Sequence, residues 1–423
     1  MKTVHKTGHL FLLYLLGFQI TLPAQPSATN PSMEAILASA WADSIYLQMK
    51  YDQVFLDQAK MDLPRMEELE FRTETQNFDP NRQEYALRLQ LHSTKQIKAQ
   101  AAIRAHQRQW QEFRQEAYLE NLLYQRYQLL IALQRNQQWQ THYAAEQALL
   151  NDHKQIIEHQ LNQEGEAALA KLLRWEDKQA SLREKQRRLA QERHLLQQQL
   201  SDCLPSTSSL SPNWASFPDL ADLQARASEW PSPLLSKDQQ RRRLETEEIA
   251  LEMAEEQAEQ RNLLNFIQLR YTGDNDPIFR DRLTLGAGIR LPFRNSNQVK
   301  MQYLELERRE EERKEQQQQQ EETRDWAQLQ QRWQAQVELY QQAIEEVQRF
   351  EQNYTPQHLI NIGVQDAEVI LQAQEGLLKR RAQALRYEAE ALEQFIDLLL
   401  LSGRMTARPY RNWLTNIPLV GVK

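Results

Sequence analysis

The chain contains 423 residues, of which 26% are charged and only 10 are glycine. With a mean hydropathy of -0.76, this composition favours long solvent-exposed helices over one large compact core. The formal net charge is -7. Basic residues alternate with acidic ones instead of forming a patch, so nucleic acid is not expected as a partner.

Residues 1–24 are predicted to be a signal peptide. Lys2 and Lys6 precede an apolar run from Leu10 to Ile20, and Ala24 supplies a small residue at the cleavage site. The run is shorter than a bilayer-spanning helix requires. Export of the mature chain is therefore expected, with an N-terminal membrane anchor as the alternative.

The sequence carries no signature of enzymatic chemistry. It lacks a Gly-rich phosphate loop, a nucleophile elbow and an HExxH helix. Cys203 is the only cysteine, which excludes a disulfide within the chain and a thiolate metal cluster. The histidines are scattered, and His153 and His159 do not share a helix face. We expect no catalytic residues, no cofactor and no metal.

Residues 25–203 are predicted to form a first repeat. A helix at about 33–62 precedes a β-hairpin at about 66–92, where apolar and polar residues alternate with a period of two. A helical period then predicts a long helical hairpin at about 95–200, whose turn lies at Gly165.

Residues 237–403 are predicted to form a second repeat with the same elements. A helix leads to a β-hairpin at about 263–293, and a long helical hairpin follows at about 296–402, interrupted near Gly363. A Pro- and Ser-rich linker, residues 204–236, is predicted between the repeats.

The two halves also resemble each other residue by residue. Residues 87–100 align with residues 289–302 at an offset of 202, and Gly165 and Gly363 fall at corresponding turns. An internal duplication explains the chain better than independent domains do. Residues 404–423 lie outside the repeats and are expected to form an irregular C-terminal tail.

The long helices carry coiled-coil seams, in which apolar residues recur every 3.5 or every seven positions. A generic coiled-coil scaffold would show the same seams, but it would not account for the hairpins or the export signal. The seam residues are Trp326, Leu329, Trp333, Val337, Tyr340, Ile344 and Val347, then Leu371, Leu378, Leu385, Leu392 and Leu399.

Residues 283–293, within the segment 282–300, are predicted to form a two-faced strand. Nothing nearby supplies a second apolar layer, so its apolar face is expected to contact lipid and its polar face to line water. Glycines on the polar face would let a barrel curve or keep its lumen open. Pro292 cannot donate to a strand ladder and marks the transition from strand to helix. The lipid-facing residues would be Leu283, Leu285, Ile289 and Leu291, and the glycines are Gly286 and Gly288.

Two hairpins provide four strands, which are too few to close a barrel. They cannot stay open in lipid, because their edge groups would remain unpaired. Self-association is the simplest solution, and three copies would give twelve strands. Thr73 and Thr75 form a poor lipid face, so a soluble role for the first hairpin stays open.

The segment LTLGAGIRLPFRNSNQVKMQ (283–302) combines a two-faced strand, a Leu-Pro-aromatic exit and the start of a long helix. In this it resembles the TolC-like outer-membrane efflux proteins, at their final strand and the start of their long helix, and the resemblance extends over about residues 33–403. IGVQDAEVILQAQEGLLKRRAQALRYEAEALEQFIDLLLLSG (362–403) is similar to the family's return from the periplasmic tip, and residues 161–200 resemble the counterpart in the first half.

The resemblance implies a mostly α protein with membrane β-strands, built from a two-fold internal repeat. The expected assembly is a homotrimer, with an outer-membrane β-barrel that continues into a periplasmic α-barrel. Implied partners are outer-membrane lipid, a periplasmic adaptor (membrane fusion) protein and an inner-membrane transporter. The implied location is the outer membrane of a Gram-negative bacterium, extending into the periplasm.

The resemblance also implies a pore constriction near the second periplasmic tip. Relatives carry Asp where this chain has Val369 and Gln372, and the nearest acids lie about one helical turn earlier. The candidate constriction residues are therefore Asp366, Glu368 and Gln372, and the candidate tip turns are Gly165 and Gly363.

These observations favour a passive exit duct of a tripartite efflux or type I secretion system. Its gate would open when an adaptor packs between the coiled-coil seams at the helix tips. One alternative is an exported coiled-coil structural or adhesive protein, or a periplasmic adaptor, with soluble hairpins. Another is a duct-like homologue that has lost transport.

Overall fold

The computed structural model describes eleven parts of the chain. The predicted signal peptide, Gly165, Leu291 and Pro292 lie outside them. The described residues are 32–58, 64–75, 83–164, 166–204, 217–228, 230, 236–260, 264–272, 283–289, 298–364 and 366–419.

The first helical segment is broken by a capping aspartate. Helix α1 spans Met33–Ala38, a 3₁₀ turn follows at Ser39–Ala42, and α2 spans Ser44–Gln58. Oδ1 of Asp43 accepts hydrogen bonds from the backbone N–H groups of Ile45 at 3.0 Å and Tyr46 at 3.1 Å. Such a cap begins a new helix, so the prediction of one helix at about 33–62 is wrong.

Four strands form one antiparallel sheet in the order β1-β2-β3-β4. They lie within the two predicted hairpins, and β2 pairs with β3 to join them. Within the described part of the chain, β1 and β4 are the two edges of the sheet. The strands are β1 Met66–Thr75, β2 Gln83–Leu91, β3 Leu264–Thr272 and β4 Leu283–Ile289.

The remaining helices are mostly long. Their apolar seams pack α3 against α4 and α7 against α9, as the heptad spacing predicts. The helices are α3 Thr94–Glu164, α4 Glu166–Cys203, α5 Leu220–Ser228, α6 Lys237–Gln260, α7 Gln298–Tyr354, α8 Pro356–Asn361 and α9 Ala367–Leu401.

The helices are arranged in the same lateral order as the strands to which they connect. Next to the sheet, α2 contacts α3, α3 contacts α6, and α6 contacts α7. Farther from the sheet, α4 contacts α3, α3 contacts α9, and α9 contacts α7. The arc of strands therefore continues into an arc of helices. No helix in the described ranges is long and apolar enough to cross a membrane.

The largest apolar core lies where the helices next to the sheet meet the helices farther from it. Tyr127, Trp333 and Phe395 are almost fully buried there. Part of the predicted linker is helix α5, and it contributes the buried side chains of Leu220 and Leu223 to this core.

The C-terminal tail is irregular but is packed into the same core. Trp413 and Leu414 are buried, and the backbone N–H of Trp413 donates to Oη of Tyr127 at 2.9 Å. Nδ2 of Asn412 donates to Oε1 of Glu34 at 3.1 Å. The tail therefore ties the end of the chain to α1 and α3.

Candidate functional site: the sheet faces and the helical tip

One face of the sheet is apolar from edge to edge, and we call it the apolar sheet face. Leu285 is 75% exposed, Ile289 67% and Phe71 63%. An exposed apolar surface of this extent indicates a contact with lipid or protein. Its rows across the strands are Leu69–Leu89–Ile267–Ala287, Phe71–Leu87–Leu269–Leu285 and Thr73–Tyr85–Tyr271–Leu283.

Aromatic rings bridge the two hairpins on this face. The ring centroids of Phe71 and Tyr85 lie 6.0 Å apart, and those of Tyr85 and Tyr271 lie 6.3 Å apart. Thr73 lies opposite Tyr85. The first hairpin therefore shares the apolar sheet face with the second, which its threonines alone do not indicate.

The opposite face carries ion pairs both within a strand and between neighbouring strands. Nε of Arg72 lies 2.6 Å from Oε1 of Glu70, and Nη1 of Arg88 lies 3.9 Å from Oε2 of the same carboxylate. Glu84 is buried on this face and is paired with Arg270. The polar face can therefore line water while its charges remain paired.

The two glycines of β4 differ in their surroundings. A Cβ at Gly288 would lie 2.6 Å from Cδ1 of Phe266, whereas a Cβ at Gly286 would meet nothing within 4 Å. The Phe266 ring also stacks beneath Arg88, whose Cζ lies 3.8 Å from the ring centroid. Gly288 is thus explained by the close approach of Phe266, which the sequence pattern does not reveal.

The second helical tip is built by a glycine turn and a helix cap. Gly363 has a φ of 90°, and its N–H donates to the carbonyl of Ile360 at 3.0 Å. The N–H of Val364 donates to the carbonyl of Leu359 at 3.0 Å. This bonding ends α8 and requires a residue that tolerates the left-handed region.

The three candidate constriction residues have different roles in the protomer. Oδ1 of Asp366 accepts from the N–H of Glu368 at 2.9 Å and caps α9. Oε2 of Glu368 lies 3.0 Å from Nζ of Lys171 on α4. Gln372 is exposed. The structure therefore places Asp366 at the cap of α9 and Glu368 and Gln372 within its first two turns, without direct side-chain bonds between the three.

A second ion pair repeats the first one heptad along both helices. Nζ of Lys178 lies 2.9 Å from Oε2 of Glu375, whose other oxygen lies 3.1 Å from Lys379. Burial lowers the pKa of His153 nearby, and Lys178 adds to this effect. We call the pairs Lys171–Glu368 and Lys178–Glu375 the α4–α9 ladder. Sequence reasoning missed it, although the spacing of seven on both helices is a usable signal.

No metal centre emerges from the described residues, in which no group of three or more His, Cys, Asp or Glu side chains could hold an ion.

Together, an arc of four strands with one apolar face and a continuing arc of long helices define the fold of outer-membrane channel proteins. Among solved structures, CusC has a TM-score of 0.62 at 15% identity, covering 90% of this chain and 95% of that chain. VceC, an outer membrane protein from Vibrio cholerae, has a TM-score of 0.55 at 14% identity and covers 88% and 96%. The open state of the MtrE outer membrane channel from Neisseria gonorrhoeae has a TM-score of 0.55 at 11% identity and covers 90% and 91%.

These similarities confirm, for the fold, the predicted resemblance to TolC-like outer-membrane efflux proteins. No family model and no curated protein matches the chain.

Proposed function

We propose that this chain is one protomer of a homotrimeric exit duct in the outer membrane of a Gram-negative bacterium. The duct passively conducts substrate across the outer membrane and periplasm for a tripartite efflux or type I secretion system. The observation that carries the proposal is the exposed apolar sheet face, bounded by two unpaired edges in the described part of the chain. Lipid tolerates such a face, but it does not tolerate open strand edges.

The strand directions allow closure by identical copies. β1 runs away from the helices and β4 runs back toward them. Pairing β4 of one protomer with β1 of the next therefore preserves the antiparallel alternation. Three copies give twelve strands, an even number within the range of bacterial barrels.

Two apolar stripes support the same closure among the helices. No residue of α2 is buried. Exposed apolar side chains of α2 form one stripe at the β1 edge of the protomer. The start of α7 carries a second apolar stripe at the β4 edge, whose residues follow one another at intervals of four and three positions. Contact between the α7 stripe of one protomer and the α2 stripe of the next is heterologous, because two different surfaces meet. Such contacts form a closed ring when the rotation between neighbouring protomers brings the last copy back to the first. The α2 stripe comprises Leu47, Tyr51, Val54 and Phe55, and the α7 stripe comprises Val299, Tyr303 and Leu306.

The similar structures support the channel function and its location. The CusC structures concern conformational changes that accompany folding and transmembrane channel formation. MtrE, OprN and CmeC are described as outer-membrane channels. A periplasmic adaptor and an inner-membrane transporter are the proposed partners at the helical tips.

The α4–α9 ladder suggests how such a tip is held. It ties the second helical hairpin to the first at Glu368, one turn before Gln372. We propose that adaptor binding separates the two hairpins by breaking these pairs, with Gly165 and Gly363 as the turns. Asp366, Glu368 and Gln372 then line the constriction that widens.

The test compares two variants, each of which places a positive charge on a different face of β4. Leu285→Lys puts an ammonium group in lipid, at a cost of about 2–4 kcal/mol at mid-depth, whereas Thr284→Lys puts it on the polar face. We expect the first variant to lose detergent-extracted trimer and conductance in planar bilayers, and the second to keep both. A wild-type monomer without conductance, or equal assembly of the two variants, would contradict the proposal.

A further inference from the structure

A cavity of about 830 Å³ lies between the end of α9 and the beginning of α6. Helices α3 and α7 flank the cavity, because each contacts both α6 and α9. The wall is formed by Glu120 of α3 and by residues within 236–242, 314–325 and 397–401.

Glu120 is a buried acid in this wall. Its side chain is 5% exposed, and Oε1 has no hydrogen-bond partner among the described residues. Burial raises its pKa to about 7, although Lys237 opposes the shift. Nζ of Lys237 is itself bonded to Oε2 of Glu116 at 2.7 Å. Because an unpartnered buried carboxyl oxygen is costly, this atom points to a ligand.

The basic side chains of the wall are already neutralised. Arg241 lies 3.5 Å from Asp238, and Arg242 lies 3.4 Å from Glu311. Lys314 lies 2.7 Å from the same Glu311 carboxylate. With Lys237 bonded to Glu116, each of these cations is paired with an acid.

Several acids of the wall, in contrast, have no basic partner in the described part of the chain. Glu321 and Glu322 accept only from glutamine amides at 2.8 Å, and Asp397 accepts from the hydroxyl of Tyr124 at 2.8 Å. Asp325 and Glu120 add two more carboxyl groups. The cavity therefore has a surplus of negative charge.

The size and the lining residues of the cavity favour one kind of cation over others. Its volume far exceeds that of a bare ion, and its acids do not form a metal-binding group within the described residues. Leu400 and Leu401 add apolar surface suited to methylene groups. We propose that the cavity binds a linear di- or polyamine, with Glu120 as counter-ion for one ammonium group and Glu321 and Asp325 for another.

The test measures binding of spermidine to the purified full-length protein by calorimetry at pH 8. We expect one spermidine per protomer. Loss of the charged contact in Glu120→Gln should weaken affinity on the order of 10-fold or more. The matched control is Glu338→Gln, which removes an exposed acid of α7 outside the cavity wall and should bind like the wild type.

The pH dependence provides an independent readout. Affinity should fall from pH 8 to pH 6, because protonated Glu120 no longer supplies a charge. The charged groups around Glu120 in this cavity are Glu116 on α3, Lys237, Asp238, Arg241 and Arg242 on α6, Lys314, Glu321, Glu322 and Asp325 on α7, and Asp397 on α9.

Two results would overturn the inference: no spermidine binding to the wild type, or equal affinity in the wild type and Glu120→Gln. Magnesium chloride alone serves as a second probe. Glu120-dependent binding of magnesium without binding of spermidine would make the proposed class of cation wrong. Trimer formation and conductance are measured separately, so this inference can fail while the duct proposal stands.

Discussion

Gly288 has space for a hydrogen atom but not for a methyl group. A Cβ there would lie 2.6 Å from the ring of Phe266, which itself lies against Arg88. We expect Gly288→Ala to destabilise the assembled protein by about 1–3 kcal/mol, as overpacking does. Gly286→Ala, with nothing within 4 Å, should leave thermal melting unchanged.

A second substitution checks that the ring causes this effect. Phe266→Ala removes the obstructing atoms, so the double variant with Gly288→Ala should lose less stability than additive effects predict. Strict additivity in the melting temperatures would contradict the role assigned to Phe266.

Glu120 makes the stability of the folded chain depend on pH. Burial raises its pKa from 4.5 to about 7, so between these values the folded state retains a proton that the unfolded state has lost. Stability therefore falls as pH rises through this range. At about 1.36 kcal/mol per pKa unit, the penalty above pH 7 is on the order of 3 kcal/mol.

The neutral isostere should remove that penalty. In buffer without polyamine, we expect Glu120→Gln to melt at a higher temperature than the wild type at pH 8. The two proteins should melt together near pH 4.5. A difference that does not change with pH would show that the carboxyl group is not the cause, and Glu338→Gln serves as the control.

At the scale of whole elements, the α4–α9 ladder holds two helical hairpins together through exposed pairs. Each such pair contributes only about 0.2–1 kcal/mol, which suits a contact that has to open. Glu368→Lys places two cations together and should raise single-channel conductance. The double variant Lys171→Glu with Glu368→Lys restores the pair and should return conductance toward the wild-type value.

Salt separates this electrostatic effect from a change in pore shape. Screening at about 1 M salt shortens the range of charge interactions to about 3 Å, so the difference between Glu368→Lys and wild type should shrink. A conductance increase that persists unchanged in the double variant would contradict the role of the ladder.

Elements with a strong period could be predicted from the sequence. The strands alternate clearly because one face is apolar and the other is charged, and the long helices carry heptads. The break at Asp43 was missed because the apolar pattern continues across it. Helix α5 was missed because its Pro- and Ser-rich surroundings hide one short apolar face containing Leu220 and Leu223.

The site could be predicted only as far as local pattern reaches. The apolar residues of β4 follow from alternation within seven residues. The contact of Phe266 with Arg88 and the pair of Lys171 with Glu368 join segments that are far apart in sequence. Such contacts depend on strand register and helix packing, which one sequence does not specify.

The whole molecule is an arc with two different edges. α2 and β1 lie at one edge, and β4 and the start of α7 lie at the other, each with unpaired strand groups or exposed apolar side chains in the described residues. The buried tail and α5 support the middle of the arc instead. An isolated protomer therefore leaves its edges uncovered, and a second copy offers the complementary edge.

The edges can be tested by charge on the two apolar stripes. Phe55, 65% exposed on α2, becomes buried if the α7 stripe of the next protomer covers it. Phe55→Glu should then cost on the order of 2 kcal/mol at each contact and shift the detergent-solubilised protein from trimer to monomer in light scattering. Ile360→Glu changes a residue that is 55% exposed at the tip and should leave the trimer intact. Adding Tyr303→Lys on the α7 stripe supplies a partner for the new carboxylate, so the trimer should form again in the double variant. A trimer that is unaffected by Phe55→Glu would contradict the proposed contact between the α2 and α7 stripes.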